Sequence, residues 1–220
     1  MARTAPELLA TTTAQLAPDP HSNPLIPLIA RGEASRDVLG TLALEQQWVI
    51  PADRAAFLHL AGRAREEPEA AGFFAMLAEG EALAAERLKS FARACGIDES
   101  RTRSYAPLPG CQAYPAYVAW LALNASPTDV VLAITANFSA WGGYCATIAE
   151  SLRTRYGFTA DDCAFFDFFA QPAPELDERA RAAVQEGLDT GILDEEAAHG
   201  YGRLLQSYEA MFWATLRGVA

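Results

Sequence analysis

The chain is 220 residues long, 51% hydrophobic and 20% charged, which supports one domain with a substantial core and excludes a disordered protein. Acidic residues outnumber basic ones 28 to 17, for a net charge of −11, and no dense Lys/Arg run occurs. That balance excludes a duplex-binding surface and an anionic-membrane docking patch, so the expected partners include neither nucleic acid nor membrane.

Residues 1–27 carry Pro6, Pro18, Pro20, Pro24 and Pro27 beside Thr11-Thr12-Thr13, and read as an N-terminal arm, partly disordered and docked by Leu25 and Ile26. Residues 28–220 read as a single helical domain, because almost every segment after about residue 33 has helical period. Helices are predicted over 34–50, 52–66, 68–95, 112–124, 127–155, 159–170, 174–190 and 193–217, an all-α bundle of seven to eight helices. Pro51 and Pro68 separate the first three, Gly96 closes the third, and 98–111 reads as a loop. Ser126-Pro127-Thr128-Asp129 supplies a cap, a first-turn proline and a first-turn acid for the long helix that follows. No apolar run approaches the roughly 18 residues that span a bilayer, and no apolar block marks a secretory signal. A soluble, cytoplasmic protein is expected.

Four cysteines, Cys95, Cys111, Cys145 and Cys163, lie far apart without the spacing of a disulfide framework or a zinc site. Three histidines, His21, His59 and His199, leave little for metal ligation, and none follows a helical glutamate in the Glu-x-x-His pattern of di-iron bundles. No metal and no cofactor are expected.

Three glutamates stand where apolar residues belong. Glu45 falls in the stripe Val38, Leu42, Val49; Glu81 in Leu77, Ala84, Leu88, Phe91; and Glu209 beside Tyr208, Phe212, Trp213 and Leu216. A buried carboxylate must be paired, protonated or liganded, so three of them suggest a polar interior pocket. The helix from Pro127 carries a seam of Ile134, Phe138, Trp141, Cys145, Ile148 and Leu152, interrupted by Gly142-Gly143. Two helical glycines, each costing about 1 kcal/mol against alanine, leave room for either a close helix or a ligand. Tyr114, Trp141, Tyr144, Tyr208 and Trp213 could stack on a flat heteroaromatic molecule whose N–H groups the carboxylates accept.

The order of three segments, Leu108-Pro109-Gly110-Cys111-Gln112-Ala113-Tyr114-Pro115-Ala116-Tyr117, Asn137-Phe138-Ser139-Ala140-Trp141-Gly142-Gly143-Tyr144 and Tyr208-Glu209-Ala210-Met211-Phe212-Trp213, resembles the TenA family (thiaminase II) and its relative PqqC. The resemblance spans roughly 30–217 and implies the haem-oxygenase-like all-α fold. It implies hydrolysis of a small aminopyrimidine of the thiamin-salvage type, with Glu209 moving protons, Tyr208 preceding it and Tyr114 in the pocket. The family's cysteine falls at Ser139, with Cys145 six residues on as another candidate nucleophile. The family's aspartate falls at Gln46 or Gln47 with Glu45 just before, and its histidine after Glu81 is Ala85. The expected site is therefore catalytic Glu209, Ser139 and Cys145, with Glu45, Gln46, Glu81, Tyr114, Trp141, Tyr144, Tyr208 and Trp213 binding substrate. Water or Ser139 would take the place of the cysteine as attacking group. A PqqC-like or di-iron-type oxidase and a non-catalytic binding protein remain alternatives, and the family precedent implies a homodimer or homotetramer.

Overall fold

The computed structural model describes residues 3–18 and 23–219, leaving out the side chain of Ser139. Those residues form ten helices and no strand: α1 (Ala5–Gln15), α2 (Ile26–Arg31), α3 (Arg36–Arg63), α4 (Pro68–Ala94), α5 (Glu99–Ser104), α6 (Pro109–Asn124), α7 (Pro127–Arg155), α8 (Ala164–Ala170), α9 (Pro174–Thr190) and α10 (Glu195–Gly218). None of the described helices is long and apolar enough to cross a membrane.

The local signals act where expected at most ends. Ser35 accepts from the Val38 N–H to start α3, and Asp194 accepts from the Ala197 N–H to start α10. Gly96, at φ +77°, lets Ile97 N–H reach back to the Ala92 carbonyl and stop α4. The long central helix α7 runs from Pro127 to Arg155, as predicted.

The structure adds to or departs from the expected elements at three places, the first being 98–111, which read as a loop and holds α5 and the start of α6. Pro51 does not break the chain into two helices, because α3 continues through it with Val49, Ile50, Phe57 and Leu60 buried on either side. Burying four such side chains stabilises by roughly 1.5–3 kcal/mol each, which outweighs the ~3 kcal/mol cost of a proline inside a helix. The supposed arm contains α1, begun by Glu7 accepting from the Thr4 N–H at 3.0 Å and fixed by Leu8, which is fully buried. Ala5 N–H donates to Gln185 Oε1, and Thr12 Oγ1 lies 2.8 Å from His199 Nε2, so α1 is sewn to α9 and α10. His199 is thereby a packing residue. Leu25 is buried as expected, whereas Pro20 and His21 lie outside the described residues.

The core divides into two apolar clusters. One gathers the first half of α3, the second halves of α4 and α7, α8 and the end of α10 around Phe91, Phe165, Phe166 and Trp213. The other gathers α1, the second half of α3, and the first halves of α4 and α7 with α6 and α9 around Phe57, Phe73 and Phe74. Both α3 and α7 run through both clusters, and the main cavity lies where the clusters meet.

Candidate functional site

That cavity measures about 1380 Å³. Its lining comes from both clusters, with Val49, Ile50, Phe212 and Trp213 from one and Phe57 and Ile134 from the other. Among its polar lining groups are Gln46 and Asp53 on α3, Glu81 on α4, Tyr114 on α6, Asn137 on α7 and Glu209 on α10.

Glu209 is held by two donors. Asn137 Nδ2 donates to its Oε2 at 2.6 Å, and the Trp213 indole N–H donates to its Oε1 at 3.3 Å. The second bond joins residues one helical turn apart, so the Tyr-Glu-x-x-Phe-Trp spacing itself brings indole and carboxylate together. Desolvation pushes the Glu209 carboxyl above its usual range, and the two hydrogen bonds oppose that shift.

Asp53, Glu81 and Tyr114 complete the polar region. Burial pushes the Asp53 carboxyl up to about 8, and burial together with the charge of Asp53 pushes Glu81 well above its usual range. The Tyr114 hydroxyl is raised first by burial and then by the carboxylates of Asp53, Glu209 and Glu81, which places all four groups in one electrostatic neighbourhood. Around them stand Trp141, Phe169 and Trp213. Trp141 meets Phe169 edge-on at 5.5 Å and lies tilted to Trp213 at 6.1 Å.

The two helical glycines divide their roles. A Cβ on Gly142 would stand 3.1 Å from the Phe169 carbonyl oxygen, so this position admits the close approach of α8. A Cβ on Gly143 would meet nothing within 4 Å, so that glycine simply opens the cavity wall.

Of the residues expected in the site, Gln46, Glu81, Tyr114, Trp141, Glu209 and Trp213 line the cavity. Four others do not. Glu45 is fully buried and turned away, accepting hydrogen bonds from Tyr105 Oη at 2.5 Å, the Leu108 N–H at 2.7 Å and Gln112 Nε2 at 3.0 Å. It is a tether for the segment before α6, with both oxygens engaged. Cys145 is sealed in the first cluster, its thiol pushed well above the usual range by burial and then by Glu209. Tyr144 lies outside the main cavity, edge-on to Trp213 at 5.8 Å, and Tyr208 packs on Tyr117 at 5.0 Å. Ser139 belongs to α7, but its side chain lies outside the described residues.

Asp53 and Asn137 are among the polar lining residues that sequence reasoning missed. Asp53 extends the stripe Leu42, Glu45, Val49 by one more step of four, but reading Pro51 as a break hid the continuation. Asn137 gave no signal of its own, since its partner Glu209 is 72 residues away.

Solved structures of low sequence identity share this arrangement of helices. A domain of unknown function with a heme oxygenase-like fold from Shewanella denitrificans superposes with a TM-score of 0.71 at 16% identity, over 96% of this chain and 89% of that one. A TenA homologue from Pyrococcus horikoshii (P. horikoshii OT3) gives 0.70 at 13% identity, over 97% and 98%. A TenA homologue from Pseudomonas syringae pv. tomato gives 0.69 at 10% identity, over 97% and 91%. Comparison with curated proteins gives no match. The model of the TENA/THI-4/PQQC family matches residues 19–217, which takes in Gln46, Asp53, Glu81, Tyr114, Asn137 and Glu209, and the chain belongs to that family.

Proposed function

We propose that this protein is a TenA-like hydrolase acting on a small aminopyrimidine or related N-heterocycle. The observation that carries this reading is Glu209, a carboxyl lining the cavity, fixed by Asn137 and Trp213 and raised above its usual range. A carboxyl displaced toward neutral pH both accepts and returns a proton readily. In the reaction water forms a C–O bond at the substrate carbon that loses its amine. Ionised Glu209 takes a proton from that water and returns one to the nitrogen as the C–N bond breaks. Gln46 and Tyr114 orient the heterocycle, and Trp141 and Trp213 offer ring faces to it. Water is the preferred nucleophile, because Cys145 is sealed away from the cavity; Ser139 is the alternative.

Chromatography of the purified protein incubated with thiamin and, separately, with 4-amino-5-aminomethyl-2-methylpyrimidine tests the reading. The hydroxymethyl pyrimidine is expected from at least one of them. Glu209→Gln is expected to slow its release by about 100-fold or more. No product at high enzyme concentration would retire the hydrolase reading.

We further propose a cytoplasmic homodimer or homotetramer. Trp120 and Leu204 are about half exposed and Leu123 more so on α6 and α10, where Trp120 meets Tyr201 edge-on at 6.2 Å. Light scattering of the parent and of Trp120→Glu is expected to show the assembly and its loss, and a monomeric parent would refute it.

A further inference from the structure

The main cavity is larger than a single small ring requires. At about 1380 Å³ it exceeds the roughly 300–1,000 Å³ that encloses a drug-sized ligand. Its lining is also long. On α3 it runs from Gln46 to Phe57, about 16 Å of helix, and on α7 from Ile134 to Ala146, about 18 Å.

The two ends differ in chemistry. At one, Glu209, Trp141 and Trp213 stand together, joined by the indole–carboxylate hydrogen bond and by the Trp141–Trp213 ring contact. At the other, α3, α4 and α7 converge through aromatic contacts, Phe57 on Phe74 at 6.2 Å and Phe73 on Phe138 at 6.4 Å. The wall at that end is Phe57, Leu77, Ile134 and Phe138, with Leu176 from α9, and none of these side chains carries a polar atom. Asp53, one turn before Phe57, ends the polar stretch of α3. Phe57 and Ile134 are almost fully buried, whereas Leu77, Phe138 and Leu176 are only partly covered, so apolar surface of the second cluster stays open to the cavity.

We propose that this apolar end holds a linear alkyl chain, so that the ligand is a polar heterocycle extended by a saturated tail. The length of the tail follows from α7. Trp141 beside the polar groups and Ile134 in the apolar wall are two helical turns apart, about 10 Å along the axis. A saturated chain asks for no hydrogen bond, and laying it on Leu77, Phe138 and Leu176 removes apolar area of both partners from water. A polar group in the same place would lose its water without gaining a partner from this wall. The inference deepens the hydrolase reading, resting on the same cavity and adding a tail to the substrate.

Titration calorimetry with linear alkanamides from butanamide to decanamide tests the tail site, because these neutral probes carry no ring and owe nothing to the hydrolase reading. One site per chain is expected, with affinity rising about fourfold for each added methylene until the chain fills the arm, and then levelling. In Leu77→Trp and in Leu176→Trp the indole occupies the arm. The gain per methylene is expected to fall below ~1.5-fold there, with butanamide affinity unchanged within ~2-fold. The two variants are independent, so either one suffices if the other fails to fold. Affinity that does not grow with chain length in the parent, or growth that persists in a folded variant, overturns the proposal. The hydrolysis assay separates the two readings: length dependence without turnover keeps the tail site and rejects the hydrolase, whereas turnover without length dependence does the reverse.

Discussion

Asp53 takes up a proton on folding. Its carboxyl titrates near 3.8 in the open chain and at about 8 when buried, so between those values the folded protein holds a proton that the unfolded chain has lost. The stability it contributes is therefore complete below about pH 4 and disappears as pH rises through 8, at up to about 1.4 kcal/mol per pH unit. Asp53→Asn is expected to flatten the fall in urea-unfolding free energy between pH 5 and pH 8, leaving the part due to Glu81. Glu209 works in the same direction on activity. As a base it must be ionised, so the acid limb of kcat/KM is expected above the ordinary glutamate value of 4.5 and should vanish in Glu209→Gln. Glu45 differs from both. Glu45→Ala strips the acceptor from Tyr105, Leu108 and Gln112 and is expected to cost ~2–4 kcal/mol in urea unfolding, with no residue of the cavity wall removed. Helical periodicity placed all three glutamates in the interior correctly. It could not separate the tether from the site residues, because Tyr105 and Gln112 reach Glu45 from 60 and 67 residues away.

Among the elements, α7 shows how far local rules extend. Its span follows from Pro127 and the apolar seam, whereas Ser126 stands at the N-cap position without the expected side-chain capping bond, and its paired glycines stood out as costly without revealing what they face. The structure separates them, and so should substitution. Gly143→Ala is expected to gain about 0.5–1 kcal/mol from helix propensity alone, since its Cβ points into open space. Gly142→Ala should gain less or lose stability, because its Cβ would press on the Phe169 carbonyl oxygen at 3.1 Å. Urea unfolding of the pair side by side checks the order. In α3 a strong local rule misled: proline signals a break, but the apolar stripe on both sides of Pro51 decides the matter, and with the break went Asp53. Helix α1 was hidden for a similar reason, its threonine run and flanking prolines reading as loop, although Leu8 and Thr12 are buried against distant helices.

For the whole molecule, the cavity is a property of two cores meeting, and no single helix encodes it. The sequence supplied the fold class and six of its lining residues. Its size depends on how the helices around it converge. The same convergence makes small residues critical at crossings. A Cβ on Gly202 of α10 would stand 2.4 Å from Leu16 Cδ1, so the Leu16 side chain that follows α1 has to shift to admit it. Gly202→Ala is expected to pry the end of α1 from its seat, seen as faster amide exchange over Ala5–Gln15 while α3 stays protected. That seat matters beyond stability, because Thr13 of α1 lines the cavity, yet the family segment starts only at residue 19. A shortened protein starting at that boundary would keep every acidic group of the cavity and lose a piece of wall, so its substrate preferences would describe a wider vessel than the one these residues build.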